Sequence, residues 1–544
     1  MRRALLLVAA LAAFAAPSTA SAARFAVGLK PGADADALRA ELAARGLGRG
    51  ESMTSLGAVL VDAPAAQALR GLPGAAYVER LRARRTPAYM PADPLAARQW
   101  YLSQNRAYDA WEAKPPLAAT LVAVIDSGVD GSHPDLSSRI LEAKSFVGGS
   151  PTVDKQGHGT FVAGLIAAES DNGIGIAGLS PAAELLVAKV VTADRTIPIE
   201  AEVKAIKWAV DKGARVINMS LGGVRDPLDA SVDTYSPLEA AAVDYAVRHN
   251  VVVVAAVGNG DQAPSSPWRF ASYPAALPHV LGVAALARNG GSPAFSNRDP
   301  IYTDIAAPGE DILSTFPRVL TAAYPACAEQ GYSSCGPDEW RSAEGTSFAA
   351  PQVSAAAATL LGQRPSLRAE QVTGLLTRTA VDANASTGCR TCPLGRDRYT
   401  GFGRVDVTSA LQALDGLLPG RDRYEPNDDA GTSATKLYAQ SRIDATLDFW
   451  DDQQDVYRVR LRKGQRMYAG LTGPPRTDVN LMLWAPGTTR VDDLRRQSMR
   501  VTQSARPGPR EWLAYRAARD GFYYLQVKMA SVGTGRYRLR IVKT

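Results

Sequence analysis

The sequence predicts an α/β fold: a parallel sheet with helices on both faces, preceded by a small α/β module and followed by an antiparallel β-sandwich. Three observations carry this expectation. Apolar, β-branched runs at residues 120–125, 215–219 and 251–257 alternate with helical stretches at 161–168, 200–212 and 238–249, the pattern of a sheet covered on both faces. Ahead of them, residues 23–85 carry a short strand and helix pattern of their own. Beyond Leu417-Leu418-Pro419-Gly420, period-two triplets recur at Tyr457/Val459/Leu461, Val479/Leu481/Leu483, Tyr523/Leu525/Val527 and Tyr537/Leu539/Ile541. Gly, Pro and Asp turns separate them, as in a sandwich of antiparallel strands. At 544 residues, 46% hydrophobic and 21% charged, the chain has material for two or three domains with large cores.

Residues 1–22 read as a secretory signal. Arg2 and Arg3 precede an apolar run at 4–16, and Ala20-Ser21-Ala22 offers a small-residue cleavage site. The apolar run is too short to span a bilayer comfortably, so the expected mature protein is exported, extracellular or periplasmic, and leaves the membrane once the signal is removed. In the next segment Phe25, Val27 and Leu29 alternate as a strand does. Residues 34–45 suit a helix, 58–61 a strand, 64–72 a helix and 77–78 a last strand. The basic, Pro-marked stretch Arg82-Ala83-Arg84-Arg85-Thr86-Pro87 reads as a linker. On these residues alone the module is either an independent binding domain or a propeptide.

The net charge of +7 is spread along the chain, with no basic block interleaved with aromatics, which excludes nucleic acid as a partner. The four cysteines, Cys327, Cys335, Cys389 and Cys392, suit disulfides in an exported protein. Three pairings are open, and the local pairs 327–335 and 389–392 are preferred. Zinc would need a second closely spaced pair, and redox chemistry a surrounding βαβ unit.

Parallel sheets place ligands at the carboxyl ends of their strands. Here those ends deliver Asp126-Ser127-Gly128, Ser220-Leu221-Gly222-Gly223 and Gly258-Asn259-Gly260. Of the four histidines, His249 ends a helix, His279 precedes a strand, and His133 lies in a His-Pro-Asp turn. His158 differs: Gly157-His158-Gly159-Thr160 leads straight into a helix, with glycines that let neighbours approach the imidazole. Ser347, in Glu344-Gly345-Thr346-Ser347-Phe348-Ala349-Ala350-Pro351, stands at the mouth of an Ala-rich helix. Helix N-terminal N–H groups favour negative charge there, so a serine at that point suits attack on a carbonyl.

Asp126, His158 and Ser347 follow one another in an order known for one version of the serine triad. With Val124-Ile125-Asp126-Ser127-Gly128-Val129, Gly157-His158-Gly159-Thr160-Phe161-Val162-Ala163-Gly164, Asn218-Met219-Ser220-Leu221-Gly222 and Gly345-Thr346-Ser347-Phe348-Ala349-Ala350-Pro351, the chain resembles the subtilisin-like serine proteases. The resemblance covers residues 91–417 and is supported late by Gly401-Phe402-Gly403-Arg404-Val405-Asp406. It implies Ser347 as nucleophile, His158 as base, Asp126 as its orienting acid and Asn259 as oxyanion donor. It further implies a substrate site at Ser220, Leu221, Gly222, Ala256, Gly258 and Ser272. Nothing there supplies a paired charge, so a broad or apolar P1 preference is expected.

The resemblance implies no cofactor for the chemistry and a possible structural calcium held by Asp135, Asn172, Ile174 and Ile176. The 169–176 loop is one residue longer than the family pattern, and a solvated turn is the equal alternative. Phe25-Ala26-Val27-Gly28-Leu29-Lys30-Pro31-Gly32 and Ala76-Tyr77-Val78-Glu79 resemble the family's inhibitor propeptide, with the mature chain starting between 81 and 93. Residues 421–544, through Glu425-Pro426-Asn427-Asp428, Asp455-Val456-Tyr457 and Asp478-Val479-Asn480-Leu481, resemble the bacterial prepeptidase C-terminal domain. The expected protein is therefore a secreted, monomeric endopeptidase acting on proteins or peptides, made as a zymogen with its own propeptide as inhibitor. The alternative is a non-catalytic binding or adhesion protein on a protease scaffold.

Overall fold

The computed structural model describes residues 23–64, 66–81, 89–111, 117–323, 333–334, 338–416, 418, 422–431, 433–438, 440–491 and 498–544. The chain divides into two compact units, the first ending at Pro87 and the second beginning at Ala88. Among the described residues no helix is long and apolar enough to cross a membrane.

In the first unit, β1 (Ala23–Leu29), β2 (Glu51–Met53), β3 (Ala58–Ala63) and β4 (Ala75–Arg80) form an antiparallel sheet ordered β2-β3-β1-β4. The helix Ala35–Ala44 starts where the Asp34 carboxylate accepts from the Asp36 amide, satisfying one of its unpaired N–H groups. It packs Leu38 and Leu42 against Phe25, Val27, Val59 and Val61. The helix expected over 64–72 is only a 3₁₀ turn, Ala66–Leu69, because Pro64 and Gly71-Leu72-Pro73 leave no room for further turns. The short polar strand β2 carries no period-two signal and was not expected.

The second unit is built on seven parallel strands: β5 (Thr120–Asp126), β6 (Ile140–Ser145), β7 (Ala183–Lys189), β8 (Val216–Met219), β9 (Val252–Ala256), β10 (Val280–Leu286) and β11 (Ile305–Pro308). Their order is β11-β10-β9-β8-β5-β7-β6. Alternation along β5 shows how the sheet builds two cores. Val122 and Val124 face one side with the helices His158–Ala167 and Thr346–Gln363, while Ala123 and Ile125 face the other with Ile199–Asp211 and Pro237–Arg248. Every one of these four β5 side chains is fully buried, which is why the run reads as uninterrupted apolar sequence.

The same unit continues into a five-stranded and a four-stranded sheet whose inner faces enclose Tyr457, Leu481, Leu525, Tyr537 and Leu539. All the expected period-two triplets lie in this core. One strand departs from the antiparallel pattern: Thr435–Leu437 pairs in parallel with Gln454–Leu461. The sandwich rests on the parallel-sheet half through contacts such as Arg378 to Asp448 (2.7 Å) and the Thr377 hydroxyl to the Trp450 carbonyl (3.1 Å).

The two helices that end at the functional edge meet through Phe161 and Phe348, with ring centres 4.3 Å apart and both side chains buried. Replacing Phe161 by Ala leaves a cavity under both helices and is expected to destabilise the unit by about 3–5 kcal/mol, read from the shift in its denaturant midpoint at constant slope.

Candidate active site

β5 ends on Asp126, which is 1% exposed. Its carboxylate faces His158, whose Nδ1 lies 2.8 Å from Oδ1 and 2.9 Å from Oδ2, and Oδ1 also accepts from the Ser127 amide at 2.7 Å. The approach depends on glycine. A Cβ at Gly159 would sit 2.0 Å from the Gly128 carbonyl oxygen and 3.2 Å from the Asp126 Cβ, so any side chain there forces the two motifs apart. His158 is the first residue of its helix, after Gly157 at φ 87°.

A second carboxylate holds the loop that delivers both groups. Buried Asp154 accepts from the Ser127 hydroxyl, the amides of Gln156, Gly157 and Thr160, and the Thr160 hydroxyl, all at 2.7–3.0 Å. Sequence reasoning missed Asp154, because a lone Asp between Val153 and Lys155 reads as a surface turn. Burial by itself would lower the His158 pKa, but the charge and hydrogen bond of Asp126, reinforced by the charge of Asp154, raise it above the ordinary value.

Ser347 is the second residue of the helix Thr346–Gln363. Its hydroxyl donates to the Ser220 carbonyl (3.1 Å), and its carbonyl accepts from the Ser220 hydroxyl (2.7 Å). Asn259, after β9, takes the Thr346 amide and hydroxyl on its Oδ1 at 3.0 and 2.9 Å. That turns Nδ2 toward Gly345, where a Cβ would lie 3.4 Å from it. Gly345 itself has φ 150°. A cleft of about 350 Å³ along the carboxyl ends of β5, β8 and β9 is lined by Asp126, His158, Ser347 and Asn259, and by all six residues expected at the substrate site: Ser220, Leu221, Gly222, Ala256, Gly258 and Ser272.

The profile of the subtilase family matches residues 118–403, just over half of the chain. The chain belongs to the subtilase family. Thermitase of Thermoactinomyces vulgaris is 33% identical over 327 residues, covering 60% of this chain and 100% of thermitase. Fervidolysin of Fervidobacterium pennivorans is 34% identical over 320 residues, 56% of this chain and 42% of fervidolysin. The cell wall-associated protease of Bacillus subtilis is 35% identical over 323 residues, 56% of this chain and 32% of that protease. The matched part of the chain thus spans less than half the length of the latter two relatives.

The other histidines of this subtilase lie outside the cleft. His133 is buried in its turn, accepting from the Asp135 amide, and exposed His249 caps its helix against the Tyr245 carbonyl. His279 pairs with Asp428 of the sandwich at 2.5 Å, a partner no local pattern announces. Cys389 and Cys392 form a buried disulfide; the pairing expected for Cys327 and Cys335 lies outside the described residues.

The expected calcium loop is brought together, but by N–H donors. Asp135 accepts from Asn172 Nδ2 (2.9 Å), the Ile176 amide (3.0 Å) and Trp340 Nε1 (2.7 Å), while Asn172 Oδ1 accepts from the Ile174 amide. Calcium needs six to eight oxygens around it, and this donor set does not fit it. Oxygens do converge in the sandwich. Carboxylate atoms of Asp422, Glu425 and Asp455, and of Glu425, Asp428 and Asp452, lie within 4.8 Å of one another in each group. Burial and mutual repulsion push Glu425 and Asp452 well up and Asp455 to about 8, an arrangement that a divalent cation would relieve.

The imidazole geometry sets a titration. A His158 pKa raised by Asp126 means the cation persists above pH 6.5 and the neutral ring dominates only at higher pH. Ring NMR of the Ser347→Ala protein should give a His158 midpoint above about 6.5. Asp126→Asn should lower it, because the burial penalty then meets less opposing charge.

Proposed function

We propose that the protein is a secreted subtilisin-like serine endopeptidase, made as a zymogen, that cuts proteins or peptides through an acyl-enzyme. What carries the reading is one observation: the Asp126–His158 pair, Ser347 and Asn259 all border a single cleft at the carboxyl edge of the sheet. In the resting state the Ser347 hydroxyl points to the Ser220 carbonyl. The reaction begins when it turns to His158 Nε2, the nitrogen not engaged by Asp126.

Ser347 Oγ then attacks the scissile carbonyl as its proton passes to Nε2. Asp126 holds the ring in register and balances its cation. The developing oxyanion is met by Asn259 Nδ2 together with N–H groups at the start of the Ser347 helix. As the C–N bond breaks, Nε2 returns the proton to the leaving amine, and water repeats the sequence to release the acid and free Ser347. Substrate would lie along Ser220-Leu221-Gly222 as an added strand, with its P1 side chain between Ala256, Gly258 and Ser272. Asp126 is the one carboxylate among the cleft residues and is committed to His158, which supports neutral or apolar P1 residues over Lys or Arg.

Residues 23–85 act in this reading as the inhibitor propeptide, lying within the first of the two compact units, and the mature enzyme works as a monomer. The chemistry itself needs no cofactor. A structural calcium is assigned to the two carboxylate groups that share Glu425, one with Asp422 and Asp455 and one with Asp428 and Asp452, whose oxygens would hold it, and not to the Asp135 loop.

Two experiments test this. A fluorophosphonate probe should label processed wild-type protein and not Ser347→Ala. Asn259→Ala should stay labelled but turn over casein roughly 10²–10³-fold more slowly, the cost of one lost oxyanion donor. Absence of labelling in correctly processed wild type would identify a binding protein on a protease scaffold. For calcium, EDTA should lower the unfolding temperature of wild type, and Asp452→Asn should remove that dependence. Equal unfolding temperatures with and without EDTA would dismiss the cluster as a cation site.

A further inference from the structure

Arg490 belongs to the β-sandwich, yet its guanidinium is buried against the parallel-sheet half of the same unit, with 5% of the residue exposed. Nη2 donates to the Ala276 carbonyl (2.7 Å) and to the Tyr302 hydroxyl (3.0 Å), and Nη1 reaches the Tyr273 hydroxyl at 3.5 Å. The guanidinium carbon lies 5.3 Å from the ring centre of Tyr235, 5.9 Å from that of Tyr273 and 5.6 Å from that of Tyr302, within reach of cation–π attraction. From its own domain, Asp429 comes within 3.5 Å of Nε. Burying such a cation is costly unless its donors and charge are met, and most of the groups that meet it lie across the domain boundary.

The segment it grips is the back of the cleft. Ser272 lines the cleft, and its amide donates to the Val257 carbonyl at 2.8 Å. Tyr273 exchanges two backbone hydrogen bonds with Gly223, at 2.9 and 3.0 Å. A Cβ on Gly222 would fall 2.0 Å from the Tyr273 carbonyl oxygen, so any shift of residues 272–276 is transmitted directly to Gly222 and Gly258. One side of this segment therefore shapes the pocket while the other is held by Arg490.

We propose that Arg490 is a positioning residue for the substrate pocket, so that the C-terminal sandwich is a working part of the peptidase and not a detachable tail. The inference rests on reading the cleft as the substrate site. The residue touches no substrate; it fixes the wall against which a large P1 side chain must pack. Losing it should blunt discrimination among P1 side chains while leaving the Ser347 hydroxyl reactive.

The test uses full-length processed protein and a peptide series with Ala, Leu or Phe at P1. Arg490→Ala should lose about tenfold in kcat/KM on the Leu and Phe peptides, the scale of one misfitted apolar group in a pocket. The loss should enter through KM, with the Ala peptide and fluorophosphonate labelling little changed. Arg490→Lys, which keeps the charge but not the planar fork, should recover only part of the loss. Arg378→Ala breaks another sandwich contact, the ion pair with Asp448, and should keep the wild-type P1 profile. If Arg490→Ala does not fold, Tyr302→Phe removes one acceptor and should give a smaller shift of the same kind. A wild-type P1 profile in Arg490→Ala or Tyr302→Phe, or the same altered profile in Arg378→Ala, overturns the proposal. Failure of wild type to take the probe would instead strike the reading of the cleft.

Discussion

The structure is organised around a buried carboxylate at the end of a strand. Asp126 is removed from water on a sheet that is apolar on both faces, and an uncompensated charge there would cost several kcal/mol. It is met by the Ser127 amide and by His158 Nδ1 at 2.7–2.9 Å, so the imidazole is fixed by the same contacts that make the carboxylate tolerable. The glycines of the two motifs follow from this. Gly159 passes so close to the Gly128 carbonyl that no side chain fits, and the small-residue frames record an approach distance, not flexibility. Asp154 then ties the intervening loop to both motifs through the Ser127 hydroxyl and the Thr160 amide and hydroxyl.

The serine is positioned by an irregularity of a different kind. Pro351 lies inside the helix Thr346–Gln363 and has no N–H to offer the carbonyl four residues back, which is that of Ser347. That carbonyl accepts from the Ser220 hydroxyl instead, while the Ser347 hydroxyl donates to the Ser220 carbonyl. A proline that should weaken a helix thus frees an acceptor and stitches the first turn to the strand end on which substrate would lie. Asn218 continues the chain: its Nδ2 donates to the Ser220 hydroxyl, and its Oδ1 accepts from the Ser354 hydroxyl about two helical turns beyond Ser347. The Ala-rich face of this helix lets it sit close enough to the sheet for such short links.

What the sequence makes legible is what is written locally. Largely apolar, β-branched runs marked β5, β8 and β9, period-two triplets marked the sandwich, and glycine-framed polar residues at strand and helix ends marked the cleft. The misses are of three kinds. Where Pro and Gly bracket a segment tightly, as at 64–73, a helical pattern yields only the 3₁₀ turn Ala66–Leu69. Where residue types match a ligand set, they do not reveal which atoms face inward: around Asp135 the neighbours present N–H groups. And where partners come from a distant part of the chain, the sequence gives no sign. His279 reads as a loop residue until Asp428, far along the sequence, arrives beside it.

That third kind bears on how the two halves of the larger unit hold together. Their contact is not a sheet of interchangeable apolar side chains. It includes the half-buried His279–Asp428 pair, the Arg378–Asp448 pair with Arg378 over the Trp450 ring, and buried Arg490 among three tyrosines. Removing one partner of a buried charge pair is far costlier than never having built it, because the remaining charge stays desolvated. Detaching the sandwich would expose or strand His279, Arg378 and the tyrosines around Arg490 at once. Polar groups of this sort also fix one relative orientation, since their hydrogen bonds tolerate little displacement. An apolar contact would have held the sandwich nearby; these contacts hold it in register with the segment behind the cleft.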